Sequence, residues 1–211
     1  MPWIEAAAFT LDACDGLRAS KESLMQFAPL PVSGPLEIVP RRHGDSRGYF
    51  VETFRQDLFE AAAGSTSFVQ DNQSMSAEVG TVRGLHFQLS PRAQGKLVRC
   101  LVGAILDVAV DIRRGSPTYG QHVKVELSAG NGRQLWVPPG FAHGFCTLEP
   151  DTVIAYKVTD YYSPEHDRGL RWNDPALGID WPVAEDKAIL SARDRVQPRL
   201  SELDADFVYA C

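Results

Sequence analysis

Lys96-Leu-Val-Arg-Cys-Leu-Val-Gly-Ala-Ile-Leu-Asp-Val-Ala-Val-Asp-Ile112 reads as two short strands punctuated by Gly103. Both halves are dominated by Leu, Val and Ile, side chains that suit a pleated, buried surface. The same texture continues in both directions. Leu36-Glu-Ile-Val, Tyr49-Phe-Val-Glu-Thr-Phe, His122-Val-Lys-Val-Glu-Leu, Gln134-Leu-Trp-Val and Thr152-Val-Ile-Ala-Tyr-Lys-Val are β-branched or aromatic runs set off by Gly, Pro, Asn and Asp. Many short strands with close turns and no alternating long helices predict an all-β sandwich or jelly roll rather than a parallel α/β sheet.

Three segments depart from this pattern. Arg55-Gln-Asp-Leu-Phe-Glu-Ala-Ala-Ala-Gly64 carries good helix formers and stops at a glycine, so a short helix capping the sheet edge is expected. Residues 1–34 mix Ala, Leu, Met and Phe with polar steps, as in Ser20-Lys-Glu-Ser-Leu-Met-Gln-Phe, and end in Pro29, Pro31, Gly34 and Pro35. That breaker cluster sets a boundary between a partly helical extension, 1–34, and the main domain, 35–211. The tail from Asp174 is rich in Pro and Asp, which predicts loops and one or two short helices packed across an open end.

A chain of 211 residues falls short of two comfortable domains, so one core is the default. No apolar run approaches the ~18 residues of a membrane span. Met1-Pro-Trp-Ile-Glu lacks the basic start and apolar stretch of a secretory signal, which sets the expectation of a cytoplasmic protein. Cys14, Cys100, Cys146 and Cys211 form no CxxC pair and are expected to be free thiols. A net charge of -6 argues against nucleic acid or anionic lipid as a partner, although a few converging arginines would still hold an anionic ligand.

Gly132-x5-Pro138-x-Gly140-x2-His143 places a histidine just past a Pro-Gly turn and resembles the second signature of the cupin superfamily. That resemblance sharpens the expected fold to a double-stranded β-helix with a few short peripheral helices. Metal-binding cupins carry an HxH pair in their first signature, whereas here Leu85-His86-Phe87-Gln88 puts Gln88 where the second imidazole would stand. A first-row metal wants several imidazole or carboxylate ligands converging. His43, His86, His122, His143 and His166 show no pairing at ligand spacing, so neither metal nor other cofactor is expected.

The resemblance then narrows. Arg83-Gly-Leu-His-Phe-Gln88, Gln94-Gly-Lys96, Asp107-Val-Ala-Val-Asp-Ile-Arg113, Ser116-Pro-Thr-Tyr-Gly120, Pro138-Pro-Gly-Phe-Ala-His-Gly-Phe145, Tyr156-Lys-Val-Thr-Asp-Tyr-Tyr162 and Trp172-Asn-Asp-Pro175 follow in order. From about Leu36 to about Leu200 the chain is similar to the dTDP-4-dehydrorhamnose 3,5-epimerase family. The resemblance implies a dTDP-linked 4-keto-6-deoxy sugar as substrate, with His86 as proton acceptor, Asp194 as its dyad partner, Tyr156 as proton donor on the opposite ring face and Lys96 as the positive charge for an enolate oxygen. The residue types suit the chemistry. Carbons 3 and 5 both flank the ketone, so each proton can leave to an enolate if a base is near and the oxygen's charge is stabilised. An imidazole with pKa near ~6.5 is mostly neutral and competent as that base, and an Asp on its other nitrogen fixes tautomer and aim.

By the same resemblance Arg47, Glu52, Gln70, Asn72 and Arg83 bind the nucleotide and its pyrophosphate, to which arginine forks are matched. His143 contacts the sugar, and Tyr162 sets how the ring sits. Asp167 stands where the family usually has glutamate and Arg193 where it usually has lysine, which keeps charge sign but changes reach. Read on residue type alone, Tyr161 and Tyr162 compete with Tyr156 as donor, and Asp174 competes with Asp194 for the dyad. A homodimer is the expected state, because jelly rolls must dispose of exposed sheet edges and family members exchange or pair an early strand. The alternatives are an epimerase acting at one carbon only, a metal-dependent cupin, and a sugar-binding cupin without catalysis.

Overall fold

The apolar runs build two sheets that face each other. The structure, a computed structural model, describes residues 24–209. Its strands are β1 (Met25–Pro29), β2 (Leu36–Pro40), β3 (Arg42–Asp45), β4 (Gly48–Val51), β5 (Gln70–Ser76), β6 (Val82–Gln88), β7 (Lys96–Val102), β8 (Ala104–Asp111), β9 (His122–Ser128), β10 (Gln134–Val137), β11 (Phe141–Thr147), β12 (Thr152–Val158) and β13 (Asp167–Gly169). One sheet has the order β1-β2-β10-β7-β12-β5 and the other β13-β6-β11-β8-β9, with β3 and β4 forming a separate hairpin. The crossovers between sheets and the antiparallel pairing make this a jelly roll of the cupin type, as the strand spacing predicts.

Side-chain alternation places the core. Val98 and Cys100 of β7, Ile154 of β12, and Leu135 and Val137 of β10 point inward and meet Ile105 and Ala109 of β8, Val123, Val125 and Leu127 of β9, and Phe141 and Phe145 of β11. Each such buried aliphatic or aromatic side chain contributes roughly 1.5–3 kcal/mol against its exposure to water. The outer face of β8 is buried as well: Val108 and Val110 lie under Leu170, Leu177 and Ala205 of the carboxy-terminal tail. Burial on both faces explains why β8 reads as an almost unbroken apolar run instead of an alternating one.

The helix α1 (Gln56–Ala63) ends at Gly64, whose φ of 84° suits the left-handed side of the map and whose N–H bonds to Glu60 O. It does not cap the sheet edge. Phe59 packs with Met25, Ile38, Leu97 and Trp136, so the helix lies on the outer face of the six-stranded sheet. Of the segment expected as a partly helical extension, residues 1–23 lie outside the described residues, and Met25–Pro29 is a strand paired along β2. Burial decides that outcome, because alternation sends Met25 and Phe27 to the cluster around Phe59. The tail forms four single-turn 3-10 helices, at 175–177, 185–187, 194–196 and 200–202, where one or two short helices were expected. Cys100 and Cys146 are buried free thiols; Cys14 and Cys211 lie outside the described residues.

Candidate active site

One open end of the sandwich holds a cleft of about 390 Å³, within the range of small-molecule sites. Both sheets line it. From the five-stranded sheet come Arg83, His86 and Gln88 of β6, His143 of β11 and Asp167 of β13. From the six-stranded sheet come Gln70, Asn72 and Ser74 of β5, Lys96 of β7, and Ile154 and Tyr156 of β12. Tyr162 and the tail residues Ser191, Arg193 and Asp194 close the rim. His86 and Tyr156 therefore stand on facing walls of the same space.

Backbone register explains the arrangement. His86 and His143 are cross-strand partners, and the β6–β11 ladder shifts register immediately afterwards, between His143 and Phe145. Gly84 and Gly144 make that irregularity possible, because a Cβ on Gly84 would come 2.5 Å from Gly144 Cα, closer than any side chain tolerates. On the opposite sheet Tyr156 pairs with Asn72 and Val158 with both Gln70 and Lys96.

The polar groups are held individually. His86 Nε2 lies 2.5 Å from Asp194 Oδ1, with the imidazole partly exposed to the cleft and the carboxylate buried. Burial pushes the Asp194 carboxyl up, but the His86 hydrogen bond and charge, together with Ser191, bring it net below its ordinary value. Lys96 crosses the sandwich and donates to the backbone oxygen of His86 at 3.0 Å. Burial lowers this ammonium, and Asp167 and Asp107 offset only part of that, so it ends at about 8. Burial also raises the Tyr156 phenol, so it stays protonated through neutral pH. Arg83 is fixed by Ser76 Oγ and Met75 O, each at 3.0 Å.

At the rim, Tyr162 donates its hydroxyl to Asp167 Oδ2 at 3.0 Å, and Arg193 reaches the same oxygen at 2.5 Å. The short acid and the long base thus meet each other, which gives the two departures from the family pattern a common geometry. Tyr161 is exposed and does not line the cleft. Asp174 is engaged elsewhere, accepting from the backbone N–H groups of Ala176 and Leu200. Gln88 is occupied too: its amide donates to Arg92 O and Tyr161 O and accepts from Ser163 N, tying down the loop beside the cleft. Among the described residues, no group of three or more His, Cys, Asp or Glu gathers at metal-ligand geometry.

Two expected residues are not brought to this cleft. Arg47 sits in the β3–β4 turn, its side chain 87% exposed and bonded to Asp45, and Glu52 follows β4. Both belong to the β3–β4 segment, which forms its own two-stranded sheet. Sequence reasoning missed the lining residues Ser74, Ile154 and Ser191, and behind the cleft it missed Asp107, fully buried, whose Oδ1 lies 2.7 Å from His143 Nε2. The signal was available, since a carboxylate inside Ile105-Leu-Asp-Val-Ala-Val must find a partner when its neighbours are buried.

A jelly roll whose cleft opposes a carboxylate-oriented imidazole to a phenol, with an ammonium between the sheets, defines the class of acid–base enzymes on a cupin scaffold. Comparison with known proteins narrows it. The family model described as dTDP-4-dehydrorhamnose 3,5-epimerase matches residues 29–202, and the chain belongs to that family. A protein of that name from Sinorhizobium fredii is 59% identical over 185 residues, covering 88% of this chain and 94% of its own. The crystal structure of dTDP-6-deoxy-D-glucose-3,5-epimerase from Legionella pneumophila in complex with dTDP-4-keto-L-rhamnose superposes with a TM-score of 0.84 at 45% identity, covering 89% of this chain and all of the other. A 3'-monoepimerase from Streptomyces bikiniensis in complex with dTDP-quinovose gives 0.77 at 34% identity, covering 82% and 87%.

Proposed function

We propose that the protein inverts carbons 3 and 5 of dTDP-4-dehydro-6-deoxy-D-glucose to give dTDP-4-dehydro-L-rhamnose. His86, aimed by Asp194, takes the proton from the carbon next to the ketone. Lys96 holds the oxygen of the resulting enolate, and Tyr156 returns a proton from the other face, so the carbon inverts. The same sequence at the second carbon needs no new group, because both carbons flank one carbonyl. The observation that carries this reading is the placement of His86 and Tyr156 on facing sheets across a single cleft.

Arg83, Gln70 and Asn72 form the nucleotide side, where a guanidinium fork suits phosphate oxygens. His143 contacts the sugar, and the Tyr162, Asp167 and Arg193 cluster sets the ring's pose at the rim. Arg47 and Glu52 serve the site of a second copy in a homodimer, for which the support is that neither lines the chain's own cleft while Arg47 is exposed. We place the enzyme in the cytoplasm, since buried free thiols suit a reducing compartment and no helix among the described residues is long and apolar enough to cross a membrane.

Incubation with the keto sugar in heavy water tests the reading. Deuterium should enter at carbons 3 and 5, with inversion at both; exchange at neither carbon would remove epimerisation altogether. The single-carbon alternative, kept open by the likeness to a 3'-monoepimerase, predicts inversion at one carbon only.

A further inference from the structure

One buried charge near the cleft takes part in none of these steps. Asp107 lies at the middle of β8, on the inward face shared with Ile105 and Ala109, and is wholly buried. Its Oδ1 meets His143 Nε2 at 2.7 Å, while its Oδ2 is buried without a hydrogen-bond partner. The next aspartate on that face shows what a structural carboxylate looks like here: Asp111 binds Arg113, Ser116 and Thr118 and leaves neither oxygen unmatched. An ionised group out of water is retained at a cost unless nearby positive charge offsets it. The two nearby groups able to carry that charge are the imidazole of His143, on the neighbouring strand, and the ammonium of Lys96, which enters from the facing sheet and, among the described residues, bonds the His86 carbonyl alone.

We propose that Asp107 is a positioning residue for the epimerisation: its carboxylate holds His143 with Nε2–H toward the core and the other ring nitrogen toward the cleft, and it keeps the Lys96–His143 side of the cleft positive for the enolate oxygen. The inference rests on the epimerase reading above. It assigns work to a residue that touches no substrate. His143 makes no other side-chain hydrogen bond among the described residues, so Asp107 alone determines which nitrogen faces the sugar.

The charged and titratable groups around Lys96 are His86 on β6, His143 on β11, Tyr156 on β12, Asp167 on β13, Arg193 in the tail and Asp107 itself. Burial lowers Lys96 to about 8 and raises Tyr156, so on the alkaline side Lys96 changes charge first. The ammonium is the active form, present below its pKa and lost above it. Removing the negative charge of Asp107 lowers that pKa further and moves the loss to lower pH.

The experiment is the pH profile of deuterium exchange for wild type and Asp107→Asn, an isosteric change. The variant should lose about tenfold in kcat, with its alkaline limb displaced down by roughly one unit and KM little changed. A merely structural lesion would lower activity at every pH and leave the limb in place, which would overturn the proposal. No exchange by wild type would sink the epimerase reading and this inference with it, whereas wild-type exchange with an unmoved limb sinks this inference alone. A second readout needs no variant: nitrogen NMR of the wild-type imidazole rings should show the proton of His143 on Nε2 at neutral pH, and an unprotonated Nε2 would refute the assignment.

Discussion

In the cleft Arg83 is held by the hydroxyl of Ser76 and the carbonyl of Met75, whereas in the β3–β4 hairpin Arg47 reaches only Asp45, two residues away. The surroundings differ in the same sense. His86 and His143 sit between two sheets with their polar partners fixed, while Tyr49 and Phe50 of the hairpin are 61% and 67% exposed. Preorganised groups can do chemistry because they need not be ordered again at each turnover. Contiguous exposed aromatic groups instead mark a candidate surface for an interaction. The cleft thus gathers its candidate acid and base groups within one chain, whereas Arg47 and Glu52 lie outside it.

The largest expected effect lies in the ordered region. His86→Ala should reduce exchange at both carbons by about 10²–10⁴-fold, the usual contribution of a general base, as read from deuterium incorporation. Full exchange in that variant would show that a group other than His86 is the base. Tyr156→Phe should separate the two halves of the reaction: the proton still leaves, but inversion slows by about 10²-fold, measured as the ratio of deuterium incorporation to product formed. If inversion kept pace with exchange, the acid would have to be sought at the rim.

A smaller effect probes how the cleft is built. Gly84 has φ of 125° and lies against Gly144, so Gly84→Ala meets backbone on one side and a disfavoured conformation on the other. It should destabilise the fold by about 1–3 kcal/mol in thermal or urea unfolding. It should also disturb the pairing of His86 with His143. An unchanged midpoint would mean that the sheet accommodates the methyl by local shift, and the rigidity attributed to the cleft would weaken accordingly.

These contrasts also explain what was readable in the sequence. β7 to β10 and β12 were legible because their runs are apolar and closely spaced and burial reinforces each of them, whereas β5, β6, β11 and β13, with more polar residues or glycines, do not read as strands from their own residues. His86, Lys96 and Tyr156 were named by the family resemblance, and their strands bring all three to one cleft. β1 was missed because Met25-Gln-Phe-Ala-Pro is too short to announce a period, and its strand state is set by pairing with β2 rather than by its own residues. The position of α1 was misjudged because a helix's own pattern says which face is apolar and not which part of a sheet it covers. Asp107 opens one of the matched blocks, but the resemblance names groups that touch the sugar, and the partner of His143 is set by where that imidazole's Nε2 points in the fold.

The smallest expected single effect belongs to the hairpin, and it tests the comparison most directly. Arg47→Ala should leave folding unchanged, since its ion pair is exposed and local. It should raise KM about tenfold with kcat little altered, the signature of lost ground-state binding by a charged hydrogen-bond donor. Mixing this variant with His86→Ala then distinguishes where the arginine acts. If each hairpin serves the other copy, a hybrid dimer contains one site with both His86 and Arg47 intact, and random pairing gives such sites as about a quarter of the total. At low substrate the mixture should therefore exceed the sum of its separate components by roughly fivefold. If the arginine serves its own chain, every site that keeps His86 lacks Arg47, and mixing brings no gain at all.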